Sequence, residues 1–254
     1  MSKYYTAKTS RGIYKKNDEK PFRLSRSKID LFMNCPRCFY IDRRLGVSVP
    51  PPYPYNLNSA VDALLKKEFD LHRVFARPHP YMELYNVDAI PFNHEKMDEW
   101  RDALTRGIQY LHEPTNFNVT GGIDDVWVNS DGELIIVDYK STAKEREVSL
   151  DADWQIGYKR QVEIYQWLFR QNGFIVSPTA YFVYCNGNLF AESFNNRIDF
   201  KVKLIPYNGN DTWIEPALFA IKDCLESEQV PDNGNDCDFC KYRNAIKNVC
   251  PEES

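Results

Sequence analysis

The sequence predicts an α/β fold in which helices flank a mixed β-sheet, and three observations carry that prediction. Residues 122–140 read as one hairpin whose strands are apolar on both faces: Ile123, Val126, Trp127 and Val128 on one, Leu134, Ile135, Ile136 and Val137 on the other. Such runs mark central strands covered by helices rather than a solvated edge. Residues 158–170 place Val162, Tyr165, Leu168 and Phe169 at helical spacing, and Gln171-Asn172-Gly173 supplies a stop. Strand-like runs then follow at 180–184, 189–194 and 198–204, the first two separated by an Asn186-Gly187 turn signal, for a sheet of about five strands.

The remaining elements follow in chain order. Ser27-Lys28-Ile29-Asp30 has the pattern of a capping box with Asp in place of Glu, opening a helix that runs through Phe32 and Met33 to Cys35-Pro36-Arg37. Residues 49–54, with four prolines, form an extended linker leading into a helix capped by Asn58. A further helix covers 95–110, with Trp100, Ala103, Leu104 and Ile108 apolar, and 215–226 reads as another. There is no internal repeat, and His72, His79, His94 and His112 have neither metal nor triad spacing.

A chain of 254 residues can bury roughly three quarters of its unfolded surface, enough for one substantial domain. Hydrophobic content of 43% fits a soluble globular protein, and no apolar run approaches the ~20 residues of a membrane helix. Seven cysteines without a secretory signal at Met1-Ser2-Lys3-Tyr4-Tyr5 indicate a reduced compartment, hence the cytoplasm. A net charge of −4 does not advertise a nucleic-acid binder, but local patches decide phosphate contact. Candidate patches are Arg23, Arg26, Lys28, Arg37, Arg43 and Arg44, and Lys159 with Arg160.

Hairpin register decides where the charges go. A two-residue loop would set Asp124 opposite Val137, whereas a three-residue loop closed by Gly132 in the left-handed conformation sets it opposite Asp138. The bulged loop is expected. Lys140 then shares a face with Asp138 while Tyr139 points the other way. Two carboxylates suit Mg²⁺ or Mn²⁺, hard ions that bind oxygen and exchange water for phosphate oxygens. A nearby lysine can orient the attacking water or stabilise developing charge, so Lys140 as base and Lys140 as electrostatic clamp are both open.

At these residues the chain resembles the PD-(D/E)XK nuclease superfamily, and within it the RecB-like branch that includes CRISPR-associated exonucleases. Asp124, Asp138 and Lys140 match its Asp and Asp/Glu-x-Lys positions, and Gln161-Val162-Glu163-Ile164-Tyr165 matches its Gln-x-x-x-Tyr helix. The resemblance implies a restriction-endonuclease-like sheet core with a helical N-terminal elaboration. It also implies one domain over 1–254, divided into a helical part (21–115), a catalytic sheet core (116–205) and a C-terminal helix with a cysteine motif (206–254). Asp124, Asp138 and the Tyr139 backbone carbonyl would hold the metal, with Gln161 and Tyr165 positioning groups nearby. The branch has a His on an upstream helix where this chain has Asp62, which is either a further oxygen ligand or a solvated partner of Lys66.

Cys35-Pro36-Arg37-Cys38 and Cys237-Asp238-Phe239-Cys240 are both C-x-x-C, the spacing that lets two thiolates share one metal. Relatives in the branch with an iron-sulfur cluster take one ligand near the N-terminus and three near the C-terminus. Cys35, Cys237 and Cys240 match that layout. The family's last cysteine follows more closely than Cys250 does, so Cys38 and Cys250 are alternative fourth ligands. Four thiolates suit Zn²⁺ or a 4Fe-4S cluster. Cys185 and Cys224 look like core positions.

The expected function is hydrolysis of DNA, single-stranded or at duplex ends, by an exonuclease with DNA-repair or CRISPR associations. Any helicase or other nuclease-complex subunit would be a separate chain. The alternative is a non-catalytic nucleic-acid-binding or assembly protein that keeps the fold and the metal staple.

Overall fold

The computed structural model describes residues 8–50 and 55–250, which divide into two compact units. Most of the expected linker, residues 51–54, lies outside the described residues.

The first unit comprises Met1–Tyr53, Leu111–Val119 and Thr212–Ser254. It contains β1 (Phe22–Ser25), α1 (Arg26–Asn34), α2 (Pro36–Arg43), α7 (Ile214–Glu226) and α8 (Asp238–Val249). Helices α1, α2 and α7 pack on one another. Helix α1 begins at Arg26 with Ser25 as N-cap, so the expected Ser27 capping box does not form; the Ser27 hydroxyl lies 3.0 Å from that of Ser25 instead. The extended backbone of Cys35 breaks the chain between α1 and α2, and Pro36 starts the new helix where its missing N–H costs nothing. Two residues of the first expected basic patch are committed to structure here. Lys28 and Arg43 both converge on Asp42, a carboxylate 1% exposed, at 2.5 and 2.8 Å.

The second unit comprises Pro54–Tyr110 and Thr120–Asp211. It holds α3 (Asn56–Val74), α4 (Pro80–Leu84), β2 (Ile90–Pro91), α5 (Met97–Arg101), β5 (Asp125–Val128), β6 (Leu134–Thr142), α6 (Ile156–Gln171), β7 (Thr179–Gly187) and β8 (Phe200–Asn208). Strands β3 (Ile108–His112) and β4 (Phe117–Gly121) divide between the units and join β1 in a sheet ordered β1-β4-β3. The main sheet is five-stranded and mixed, ordered β2-β5-β6-β7-β8, with β6 and β7 parallel and the other pairs antiparallel. Helices cover it as the two-faced apolar strands require: α3 packs on β6 and β2, and α6 packs on β6. Beneath α3, Leu65 and Phe69 bury against Trp127, Val137 and Tyr139. No helix among the described residues is long and apolar enough to cross a membrane.

Several expected boundaries are corrected. The helix carrying Asp62 starts at Asn56, and Asn58 lies in its first turn, donating to the Ser141 carbonyl rather than capping. The expected helix over 95–110 stops at Arg101 because the Asp102 carboxylate accepts the N–H groups of Leu104 and Thr105, pulling the backbone out of the helical ladder. Ile108 then begins a strand. Asn186-Gly187 makes no turn: both stay in β7, paired with Lys201 and Phe200, and the Asn186 side chain bonds the N–H and carbonyl of Lys144 at 2.8 and 2.9 Å. The expected strand at 189–194 belongs to the connection between β7 and β8, which begins at Phe200.

Candidate active site and thiol cluster

The hairpin register brings the acids together. Asp125 pairs with Val137 and Val128 with Leu134, so the same register sets Asp124, one residue before β5, opposite Asp138. Gly132 makes this possible: at φ +80° it takes the left-handed conformation that closes the three-residue loop, while Asn129 N–H donates to Glu133 O at 3.1 Å. The opposite face of β6 takes Tyr139 into the core, as alternation requires.

Asp138 is fully buried, and its Oδ1 has no hydrogen-bond partner among the described residues. Its neighbour is the Lys140 ammonium, 2.5 Å from Oδ2. Lys140 also donates to Gln161 Oε1 at 3.3 Å and lies 4.3 Å from the Tyr158 ring centroid. Gln161 in turn donates to the Tyr165 hydroxyl at 3.3 Å, one helical turn on, and Tyr165 is 2% exposed. Thus Asp124, Asp138, Lys140, Gln161 and Tyr165 all belong to one patch.

Burial, reinforced by the charge of Asp138, pushes the Asp124 carboxyl up to about 6, against the opposing pull of Lys66, Lys140 and the Tyr139 N–H. Burial disfavours the charge on Lys140, yet Asp138 and Asp124 outweigh it and hold its pKa above the ordinary lysine value. Lys140 is therefore a cation, which removes it as a base in this state. An acid whose pKa is higher folded than unfolded (~3.9) costs nothing below pH ~4 and its full penalty above pH 6. Asp124→Asn should consequently gain stability over the metal-free wild type as pH rises from about 4 to 6, with no gain below; urea midpoints at both ends of that window check this.

Asp124 is held by both its ends. Tyr139 N–H donates to its Oδ2 at 2.8 Å, and Arg101 Nε donates to its carbonyl at 3.1 Å. Because a strand residue's N–H and C=O point to the same edge, the Tyr139 carbonyl also faces the Asp124 side. Asp62 is placed differently. It pairs with Lys66 at 2.8 Å, and Lys66 lies 3.6 Å from Asp124 Oδ1, so a lysine stands between the two acids. Asp62, Asp124 and Asp138 do not close as a set of three.

The sequence reading missed the support beneath. Asp125, 0% exposed, takes Arg73 and Arg101 on Oδ1, the latter at 3.1 Å, and the Tyr139 hydroxyl on Oδ2 at 2.9 Å. Asp70 binds the same two guanidinium groups at 3.0 and 2.9 Å. Asp125→Ala would leave buried cations short of an acceptor, at a cost of about 3–5 kcal/mol measurable by urea unfolding.

In the first unit, Cys35, Cys38, Cys237 and Cys240 bring their sulfurs within 4.8 Å of one another, the one such metal-competent set among the described residues. Each C-x-x-C opens a helix, with Cys35 and Cys237 as N-caps of α2 and α8, where the helix dipole favours thiolates. Burial opposes ionisation of Cys35, but N–H donors from Gly234 (3.3 Å) and Cys38 (3.4 Å) bring its thiol down to about 7. Burial raises Cys240 to about 11 and Cys38 above its ordinary value. Gly234 must lack a side chain, because a Cβ would lie 2.1 Å from the Asn34 carbonyl. Cys250 caps the far end of α8, exposed and outside the set; Cys185 is buried in the core and Cys224 partly buried.

A model of the PD-(D/E)XK nuclease superfamily matches residues 23–251. The chain belongs to the PD-(D/E)XK nuclease superfamily. The match spans both the hairpin acids and the four clustered cysteines of this PD-(D/E)XK protein. Among solved structures, the crystal structure of SSO0001 aligns over 93% of this chain and 88% of its own, at 16% identity and a TM-score of 0.37. No curated protein matches the sequence.

Proposed function

We propose that the chain is a Mg²⁺- or Mn²⁺-dependent deoxyribonuclease of the RecB-like kind. The observation that supports this best is Asp138: a buried carboxylate opposite a second acid, with Oδ2 paired to the Lys140 ammonium and Oδ1 without a partner among the described residues, inside a nuclease superfamily. Burying a carboxylate is costly even beside one cation, and a hard divalent ion is the partner that an oxygen-only donor set fits. Asp124, Asp138 and the Tyr139 carbonyl would hold that ion. Bound there, it would lower the pKa of water and polarise the phosphodiester.

The chain's own groups would do the rest. Lys140, kept cationic by the two acids, stabilises negative charge growing on the phosphoryl oxygens. Gln161 positions the ammonium through its Oε1, and Tyr165 fixes Gln161. Asp62 and Lys66 form a charged pair at the rim and carry no metal role in this reading.

For the thiol cluster we favour Zn²⁺. A tetrahedral ion with Zn–S bonds of ~2.3 Å sets sulfurs ~3.8 Å apart, and the closest pairs here are 3.5, 3.7 and 3.8 Å. In a 4Fe-4S cluster each thiolate binds a different iron, which spreads the sulfurs more widely.

The test is single-turnover cleavage of end-labelled single- and double-stranded DNA, linear and closed-circular, with each metal. Cleavage of linear DNA alone would establish exonuclease action. Failure on every substrate with either metal would overturn the nuclease reading in favour of a non-catalytic binding protein.

A further inference from the structure

Helix α6 and the turn before it carry a stripe that the proposed chemistry uses only in part. Trp154, Tyr158, Gln161 and Tyr165 follow at helical spacing, so they share one face, and exposure rises along it from Tyr165 (2%) outward to Trp154 (56%). Rings and cations alternate along the stripe. Lys140 sits over Tyr158 at 4.3 Å, the Tyr158 ring meets Trp154 edge-on at 5.4 Å, and Lys144 sits over Trp154 at 5.0 Å.

The outer end is held in place. Asn186 fixes both backbone polar groups of Lys144, and the buried Gln155 ties Ala152 N–H and the Ser149 carbonyl, at 3.0 and 2.7 Å. Beyond Lys144 opens a cleft of about 710 Å³ lined by Arg146, Lys201, Lys203, Phe190 and Phe200. Glu145, Glu147 and Asp199 also line it; with Lys203 paired to Glu147 at 2.8 Å, Lys144, Arg146 and Lys201 stand against Glu145 and Asp199, which leaves a small cationic excess.

We propose that Trp154 is a stacking subsite for an unpaired nucleobase next to the scissile phosphate, with Lys144 on the adjoining phosphate and the cleft receiving the strand beyond along Arg146 and Lys201. The inference rests on the nuclease reading for the identity of the strand. Charge and ring chemistry both fit: an indole accepts any base, and cations beside it track the backbone. The spacing fits as well, since at most about 14 Å of chain separates Lys140 from Lys144, the span of a few nucleotides.

The experiment is fluorescence anisotropy of labelled oligodeoxythymidine and of an abasic strand of equal length, without added divalent metal. Wild type should bind the thymidine strand about tenfold tighter than the abasic one. Trp154→Ala should erase that difference at unchanged melting temperature, while Trp154→Phe keeps most of it and Lys144→Gln weakens both strands alike. Equal affinity of Trp154→Ala and wild type for the thymidine strand, or an equal loss on the abasic strand, would overturn the subsite. Base-dependent binding without cleavage under Mg²⁺ or Mn²⁺ would sink the nuclease reading and leave the subsite standing.

Discussion

Asp138→Asn is expected to reduce metal-dependent DNA cleavage at least a hundredfold while the melting temperature stays level or rises. Asp138 has no accessible surface, and among the described residues its oxygens have no partner besides the Lys140 ammonium, so the folded protein bears the desolvation of a carboxylate that only Lys140 offsets. Neutralising it also relieves repulsion with Asp124, which that charge helps to push up to about 6, and Lys140 keeps Asp124 as its counter-charge. A group that harms stability where it stands is the sign of a site kept for activity. A structural ion pair would behave in the opposite sense, with a melting temperature several degrees lower and the rate unchanged. Single-turnover kinetics and a thermal melt on one preparation separate the two.

Cys237→Ser should remove the metal from the thiol cluster and lower the melting temperature by about 10 °C or more. The four sulfurs converge from the starts of α2 and α8, and Gly234 brings its backbone within hydrogen-bonding distance of Cys35, so the bound ion would tie these segments together. Metal affinity there is folding free energy, because the sites exist only when both helices are in place. Elemental analysis should find one zinc and no iron in the wild type and neither in the variant. Cys250→Ser should change nothing, since Cys250 is exposed at the other end of α8. Iron in the wild type would reverse the assignment, and wild-type metal content with unchanged melting in Cys237→Ser would end it.

The residues of the hairpin carry their own placement. Asn129 and Gly132 specify the bulged loop, the period of two does the rest, and Asp124 reaches Asp138 with Lys140 alongside. The two C-x-x-C pairs were equally legible because metal spacing is local, and choosing Cys38 over Cys250 required only the length of α8. What local pattern could not supply were partners distant in sequence. Asp125 looks like a second copy of Asp124 until Arg73 and Arg101 claim it from other helices. Asp62 fits the family position, but Lys66 reaches past it to Asp124, a contact set by how α3 lies on the sheet. The misread helix at 95–110 failed on one side chain, Asp102, which outcompetes the helical ladder for two N–H groups. Asn186-Gly187 failed because an Asn that bonds a neighbouring segment extends a strand instead of ending it.

That the open end of the hairpin is a divalent-metal site is tested most directly by anomalous diffraction at the manganese edge from crystals grown with Mn²⁺. The predicted result is a manganese peak bounded by the carboxylates of Asp124 and Asp138, absent in Asp138→Asn. A crystal saturated with Mn²⁺ that has no peak there, with Lys140 still paired to Asp138, would contradict it.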